Sequence, residues 1–439
     1  MQMTSTAPET VHATKLSKKG KKAIVAGSIG NAVEFVDWAV YSTFSSIFAH
    51  HFFPAGNDVA ALLSTLAIFA VGFIMRPIGA AVMGAYADRF GRKKGLLFTI
   101  TLMAVATLVI GLAPTFEQVG IFAPLLLVLA RLAQGFAAGG EFGSASAFLV
   151  ESAAPRRRGF AGSWQQVSVA AGVLIASALG FTITTALPPE AVDSWGWRAA
   201  FIFAASLGFV GLWLRRGIEE TQSFATGRER VDSDAKPARH NAFVRMFRDH
   251  PKATLRVFGI TIAGTLLYYM WVNFMPTYAA VTTGIPLNQA LLANVIAMII
   301  FIVLLPFGGL LSDKIGRKPT MAAFAGGFLI FAWPAFQLIG GGFWALLAVE
   351  IIGIVLLVGY SANCAVIMAE QFPPEVRATG IGLPYALAVA IFGGTAPYIT
   401  TWMNTNGYGG WVWLYASIAA AIGLAVYLTM PETKGKELD

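Results

Sequence analysis

Twelve apolar stretches, each near the length of a membrane crossing, constrain this 439-residue chain more than any other feature. They lie at roughly 23–49, 58–86, 95–113, 120–150, 160–186, 198–214, 253–280, 288–311, 319–339, 342–370, 378–402 and 409–430. A helix crosses the hydrocarbon core with about 20 apolar residues, and in lipid every backbone polar group has to be satisfied within its own segment. Polar or Pro/Gly-bearing turns separate the stretches. The reading is an all-α membrane protein of twelve transmembrane helices. Composition agrees: 12% of residues are charged, against about 25% in soluble domains. The mean hydropathy is +0.66.

The basic residues set the sidedness. Of 31 Lys and Arg, 28 fall at 15–22, 89–94, 156–158, 215–256, 314–318, 377 and 434–436, all on one side of a twelve-span chain. The opposite loops hold no Lys, and Arg198 borders them, while Arg76 and Arg131 fall inside spans. This is the positive-inside pattern, with both termini cytosolic. The net charge of +8 then reflects topology and contact with anionic membrane lipid, not nucleic acid. The basic N-terminus reads as a cytosolic tail rather than a cleaved signal. Trp195, Trp197, Trp411 and Trp413 are expected as interfacial anchors at the other border. Cys364 is the single cysteine, which excludes an internal disulfide framework and a cysteine metal cluster.

The chain repeats itself. Span 2 ends in Gly84-x3-Asp88-Arg89-x-Gly91-Arg92-Lys93, and span 8 in Gly309-x3-Asp313-Lys314-x-Gly316-Arg317-Lys318. Span 4 ends in Glu151-x3-Pro155-x2-Arg158, and span 10 in Glu370-x3-Pro374-x2-Arg377. Two six-helix bundles follow, at 23–214 and 253–430, with a tail at 1–22, a polar cytosolic linker at 215–252 and a tail at 431–439.

This organisation, with Arg131-x2-Gln134-Gly135 in span 4, resembles the major facilitator superfamily across the whole chain. The resemblance implies substrate binding at the bilayer midplane between two halves that rock against each other. It also implies that the paired loops latch the cytosolic side, through Asp88, Arg89, Arg92, Glu151, Arg158, Asp313, Arg317, Glu370 and Arg377. Gly30-Asn31-x2-Glu34-x2-Asp37, Met75-Arg76-Pro77-Ile78-Gly79, Gly139-Gly140-Glu141, Trp195-Gly196-Trp197-Arg198 and Ile391-Phe392-Gly393-Gly394 resemble the metabolite:proton symporter group. That group includes carriers of 2-oxoglutarate, citrate, shikimate, proline and betaine. Gln165-Gln166 and Tyr385 look like its 2-oxoglutarate carriers, whereas Tyr268-Tyr269-Met270 and Met275-Pro276 also resemble its osmolyte carriers.

Ionisable residues at membrane depth are functional candidates by their cost. Here they are Glu34, Asp37, Arg76, Arg131, Glu141 and Glu350, the last expected near the outer border. Glu34 and Asp37 share a helix face near the middle of span 1. Two such carboxylates do not both ionise easily in low dielectric, so either is a candidate proton carrier; either is also a candidate fixed partner of Arg76 or Arg131. No histidine lies at depth, so proton coupling falls to carboxylates. Arg76 is read as a substrate-carboxylate anchor or a counter-ion to Asp37. In the superfamily, the position of Arg131 is associated with proton coupling through a neighbouring acid. Gly135, Gly139 and Gly143 permit close helix approach, so Glu141 is a packing contact or a second proton site. Tyr41, Gln165, Gln166, Tyr268, Asn273 and Tyr385, with Arg198 at the border, are candidate substrate-facing residues.

The expectation is a monomeric proton-coupled symporter of a small organic anion in an inner membrane. It needs no cofactor or metal. A proton–zwitterion symporter is the rival, since the Tyr268-Tyr269 pair with Trp271 leaves an aromatic cage open. A membrane enzyme is disfavoured: the chain has no nucleotide loop, metal cluster or activated nucleophile.

Overall fold

The computed structural model describes the backbone of residues 18–54, 56–90, 92–139, 141–151, 153–216, 245–374 and 376–436, and of these all side chains except 18–30, 84, 85, 87–90, 92, 93, 141, 144, 148 and 214–216. Among the described residues there is no strand. Ten helical runs are long and apolar enough to cross a bilayer, and Phe122–Ala138 is a shorter apolar helix. With the 35-residue helix Lys18–Phe52, the crossings fall where the twelve apolar stretches place them.

Span 1 is Lys18–Phe52, span 2 Asp58–Phe90, span 3 Arg92–Leu112, and span 4 Phe122–Ala138 continued by Glu141–Glu151. Spans 5 and 6 are Arg158–Ala186 and Trp197–Arg216. Span 7 runs Pro251–Tyr268, widens into a π turn at Tyr269–Phe274, and resumes at Met275–Thr283. Spans 8 and 9 are Leu287–Ile315 and Arg317–Leu338, and span 10 is Phe343–Ser361 continued by Cys364–Ala369. Span 11 runs Arg377–Ala388, a π turn Val389–Gly393, then Ala396–Thr405, and span 12 is Val412–Thr429. Pro276 and Pro397 lie in the first turn of the segments that resume after these two wide turns, where a missing N–H costs little. The side carrying the basic loops is called the basic face below, and the other the far face.

The glycines of span 4 do what their spacing predicts. A Cβ on Gly135 would collide with the backbone of Gly72 in span 2, and one on Gly139 with the backbone of Arg76 and Ala80. Spans 2 and 4 therefore touch main chain to main chain, which fixes where Arg76 and Arg131 sit. Gly143 meets Ala378 and Gly382 of span 11, across the two halves. The longest contact between halves runs along spans 5 and 8, from Gly159 against Gly309 to Gly180 against Leu291.

One expected border residue moves inward. Trp197 is fully buried and packs on Phe48, Phe52 and Phe201, because the turn before span 6 folds over the end of span 1. His50 and His51 of span 1 reach Asp193 in that turn, at 3.1 and 3.5 Å. Trp195 and Trp411 are exposed, as interfacial anchors are.

Gly135→Ala forces a side chain into main chain and should cost about 1–3 kcal/mol, read as a lowered unfolding temperature in detergent. Gly326→Ala, in span 9 with open space around its Cβ position, should leave that temperature unchanged or raise it, since Ala favours helix over Gly by about 1 kcal/mol.

Candidate functional site

The two acids of span 1 share a face but meet different arginines. Arg76 donates to Glu34 (Nη2 to Oε1, 3.2 Å). Arg131 donates to Asp37 (Nη1 to Oδ2, 3.4 Å). Asp37 Oδ1 also accepts from Thr107 Oγ1 at 2.7 Å and Gln134 Nε2 at 2.8 Å. All four charged side chains are buried. Of the pairings left open, Arg76 meets Glu34 and not Asp37. The reason is height: Glu34 lies about one helical turn nearer the basic face than Asp37, level with Arg76 on the antiparallel span 2. Residues 131 and 134, one turn apart on span 4, both reach Asp37.

Aromatic faces hold the guanidinium groups. Arg76 lies 4.6 Å from the Trp38 ring centre and 4.5 Å from that of Phe73. Arg131 lies 3.6 Å from the ring centre of Tyr41. The weakly hydrated guanidinium suits such stacking.

The second half closes over Arg76. Tyr269, in the π turn of span 7, stands edge-on to Phe73 at 5.1 Å and within electrostatic reach of Arg76 and Glu34. On the basic side, Tyr385 of span 11 stacks on Phe142 of span 4 at 3.7 Å and 4°. Gln166 of span 5 donates to the Cys364 sulfur at 3.3 Å. The buried Arg76 Nε and Tyr268 hydroxyl have no hydrogen-bond partner. Unpartnered polar atoms also occur elsewhere in the described interior, at Arg131 Nε and Asn273 Nδ2 among others, so these two make this convergence one candidate place for a polar ligand.

Other expected residues stand apart from it. The Tyr41 hydroxyl donates to Thr65 O at 2.9 Å, so its ring supports Arg131. Gln165 accepts from Ser146 at 2.8 Å, within the first half. Asn273 lies toward the far face, where its backbone oxygen accepts from Ser42 Oγ at 3.0 Å. Arg198 donates to Gly111 O at 3.2 Å and Ala113 O at 2.6 Å, closing the end of span 3 rather than facing the centre. Trp271 turns away, against Phe328 and Phe336, with its indole N–H on Val349 O at 3.3 Å. Glu350, expected near the border, is only 1% exposed. The side chains of Glu141, Asp88, Arg89 and Arg92 lie outside the described residues.

At the basic face one ion pair, Arg377 with Glu151, crosses between the halves, while the Arg317 pairs lie within the second half. Arg377 donates to Glu151 at 2.7 Å. Arg317 bridges Asp313 at 2.8 Å and Glu370 at 3.3 Å. Asp313 also accepts the backbone N–H groups of Gly159 and Phe160, at 2.8 and 2.9 Å. The first turn of span 5 thus offers unpaired N–H groups to an acid of the other half. Arg158, the repeat counterpart of Arg377, instead donates to the Lys436 carbonyl at 2.5 Å. At the far face the halves meet through Ser42 with Asn273 and Thr277, and through Ser177 with Asn294 at 2.7 Å. Both ends of the interface are closed.

The C-terminal segment, expected as a plain tail, docks on the second half. Glu432 accepts the backbone N–H groups of Arg317 and Lys318, at 2.9 and 3.0 Å, capping span 9. Thr433 Oγ1 donates to Glu370 at 2.5 Å. The available signal was one acid in the Pro-Glu-Thr that follows span 12. Burial raises the Glu432 carboxyl, but the backbone N–H groups of Arg317, Lys434, Lys318 and Thr433 outweigh it and hold it below its ordinary range.

Comparison with known proteins follows the same outline. A family model for the Major Facilitator Superfamily matches residues 27–397 and 260–438. The chain is 37% identical over 417 residues to the alpha-ketoglutarate permease of Escherichia coli (strain K12), covering 94% of each. It is 36% identical over 403 residues to a citrate-proton symporter of Klebsiella pneumoniae, covering 91% of this chain and 89% of that one. It is 34% identical over 424 residues to a glycine betaine/proline/ectoine/pipecolic acid transporter of Dickeya dadantii (strain 3937), covering 95% and 84%. The solved structure of a proton:xylose symporter bound to 6-bromo-6-deoxy-D-glucose superimposes with a TM-score of 0.73 at 19% identity, over 95% of this chain and 97% of that one, a likeness of fold.

Two outcomes check the basic-face geometry. Arg317→Ala leaves Asp313 and Glu370 buried without their cation and should destabilise by about 3–5 kcal/mol. Glu151→Ala removes a 45% exposed acid from Arg377, whose Nε keeps the carbonyls of Ala369 and Phe372, and should cost less than Arg317→Ala; thermal unfolding compares them. Glu432→Gln should lower stability at neutral pH. Because its carboxyl is held below the ordinary range, that deficit is full above the ordinary glutamate value of about 4.3 and closes as pH falls through the lowered one.

Proposed function

The chain belongs to the major facilitator superfamily, and on that premise we propose that it imports a small organic carboxylate, a 2-oxoglutarate-like dicarboxylate being favoured. It is a multi-pass, proton-coupled symporter and not an enzyme. Relatives divide between carboxylate carriers and betaine or proline carriers, so the substrate is argued from the site.

The supporting observation is Arg76. It is the charged side chain at the convergence of the halves, and its guanidinium already covers the faces of Trp38 and Phe73. Trp271, which with Tyr268 and Tyr269 would complete a cage for a cationic headgroup, points instead into the core of the second half. A carboxylate instead finds a planar fork suited to it. The substrate carboxylate takes the place of Glu34 on Arg76, and the released Glu34 accepts a proton. Asp37, held by Arg131, Thr107 and Gln134, keeps spans 1, 3 and 4 in register and is the alternative carrier of the proton.

The basic face is cytosolic by the positive-inside rule, with both termini there and the protein in an inner membrane. The bundles 23–214 and 253–430 rock about the bound substrate, joined by the linker 215–252. Tyr385 with Phe142 closes the cytosolic path near the substrate, and the ion pairs of Glu151, Asp313, Arg317, Glu370 and Arg377 close it at the surface. One chain contains both halves of the site, so the monomer is the working unit.

Reconstituted into proteoliposomes with an inward proton gradient, the protein should accumulate radiolabelled 2-oxoglutarate and not betaine. Betaine accumulation without carboxylate uptake would overturn the choice of substrate. Arg76→Ala removes one partner of a buried pair, worth about 2–5 kcal/mol, so uptake at low substrate concentration should fall at least about thirtyfold.

A further inference from the structure

The intramembrane acids differ in what they face. Glu34 and Asp37 each meet an arginine. Glu350 of span 10 is as buried, yet neither of its carboxyl oxygens has a hydrogen-bond partner. It sits inside the second half, about 10 Å along span 10 from that helix's far-face end at Phe343. The charged residues of the helices packed around it all lie at the basic face: Lys252 and Arg256 on span 7, Asp313 and Lys314 on span 8, Arg317 and Lys318 on span 9. Spans 7 and 10 also carry the phenols Tyr268, Tyr269, Tyr278 and Tyr360, which are neutral at ordinary pH.

The polar side chain within reach of Glu350 is Asn294 of span 8. Its two ends are already engaged. Its Oδ1 accepts from Ser177 of span 5 at 2.7 Å, and its Nδ2 donates to Val272 O in the π turn of span 7 at 3.4 Å. Asn294 therefore stands between Glu350 and one of the bonds that close the far face.

We propose that Glu350 is a proton-loading site of the second half, whose neutral form permits the far face to close. Among the described residues an ionised carboxylate here meets no cation, so it draws the side-chain amide within reach, Asn294 Nδ2, whose bond to Val272 is the long one. Turning that amide takes its oxygen away from Ser177 and opens the contact between spans 5 and 8. A proton from far-face water on Glu350 removes the demand, and Asn294 returns to Ser177. The inference rests on the symport reading above and adds to it a site on the opposite half from Glu34.

The test compares wild type with Glu350→Gln, an isosteric and permanently neutral variant. Substrate counterflow in proteoliposomes, with no gradient imposed, should slow by about tenfold in wild type as pH rises through the range where Glu350 loses its proton. Glu350→Gln should not slow, and Glu350→Asp should restore the dependence. Infrared spectra of wild type should carry a protonated-carboxylic-acid carbonyl band that Glu350→Gln lacks. Asn294→Ala should keep that band while losing the alkaline slowing. A Glu350→Gln protein with the wild-type alkaline slowing, or a wild type without the band, overturns the inference. Wild-type uptake that ignores a proton gradient would instead overturn the symport reading, and the infrared band separates the two failures.

Discussion

A guanidinium in the membrane keeps its charge, so the groups it faces organise everything around it. Arg131 draws Asp37, and Asp37 in turn gathers Thr107 and Gln134, which ties spans 1, 3 and 4 into one unit. Arg76 draws Glu34 and so fixes span 2 against span 1. These bonds form because Gly72 and Gly135 let spans 2 and 4 touch through their backbones. With larger residues there, the arginines would stand too far from span 1 to be paired. The cost of an unpaired charge in a low-dielectric interior makes that arrangement selective.

The repeat in the sequence is closer than the repeat in the structure. Arg158 and Arg377 occupy the same place in the motif, yet Arg377 meets Glu151 across the halves while Arg158 meets the carbonyl of Lys436. Glu370, the counterpart of Glu151, is taken by Arg317 and Thr433. The C-terminal segment causes the difference, since it docks on span 9 and Glu370 of the second half and gives its Lys436 carbonyl to Arg158 of the first. The two halves therefore use different bonds at the basic face, although one motif built both.

Aromatic surface divides the site further. Trp38 and Phe73 are committed to Arg76, Tyr41 to Arg131, and Trp271 to the second half's own core. Tyr269 and Tyr385 remain as the rings that the second half brings to the centre, one beside Phe73 and the other on Phe142. An aromatic-rich sequence that suggests a cage folds into one that holds its own cations.

By itself the sequence determined the number of crossings and the repeated motifs, because apolar length and motif spacing are local properties, and lysine and arginine placement carries the expectation of sidedness. It also marked Glu34, Asp37, Arg76 and Arg131, since charge at membrane depth is conspicuous in any one stretch. Tertiary structure decided who pairs with whom. Arg76 went to Glu34 and not Asp37 because relative height across antiparallel helices is set by packing. Arg198 closed span 3, Trp197 entered the core, and Glu432 capped span 9, since each of those partners is distant in the chain. Pairing in low dielectric depends on distances of a few ångströms between different helices, and no single helix's sequence contains them.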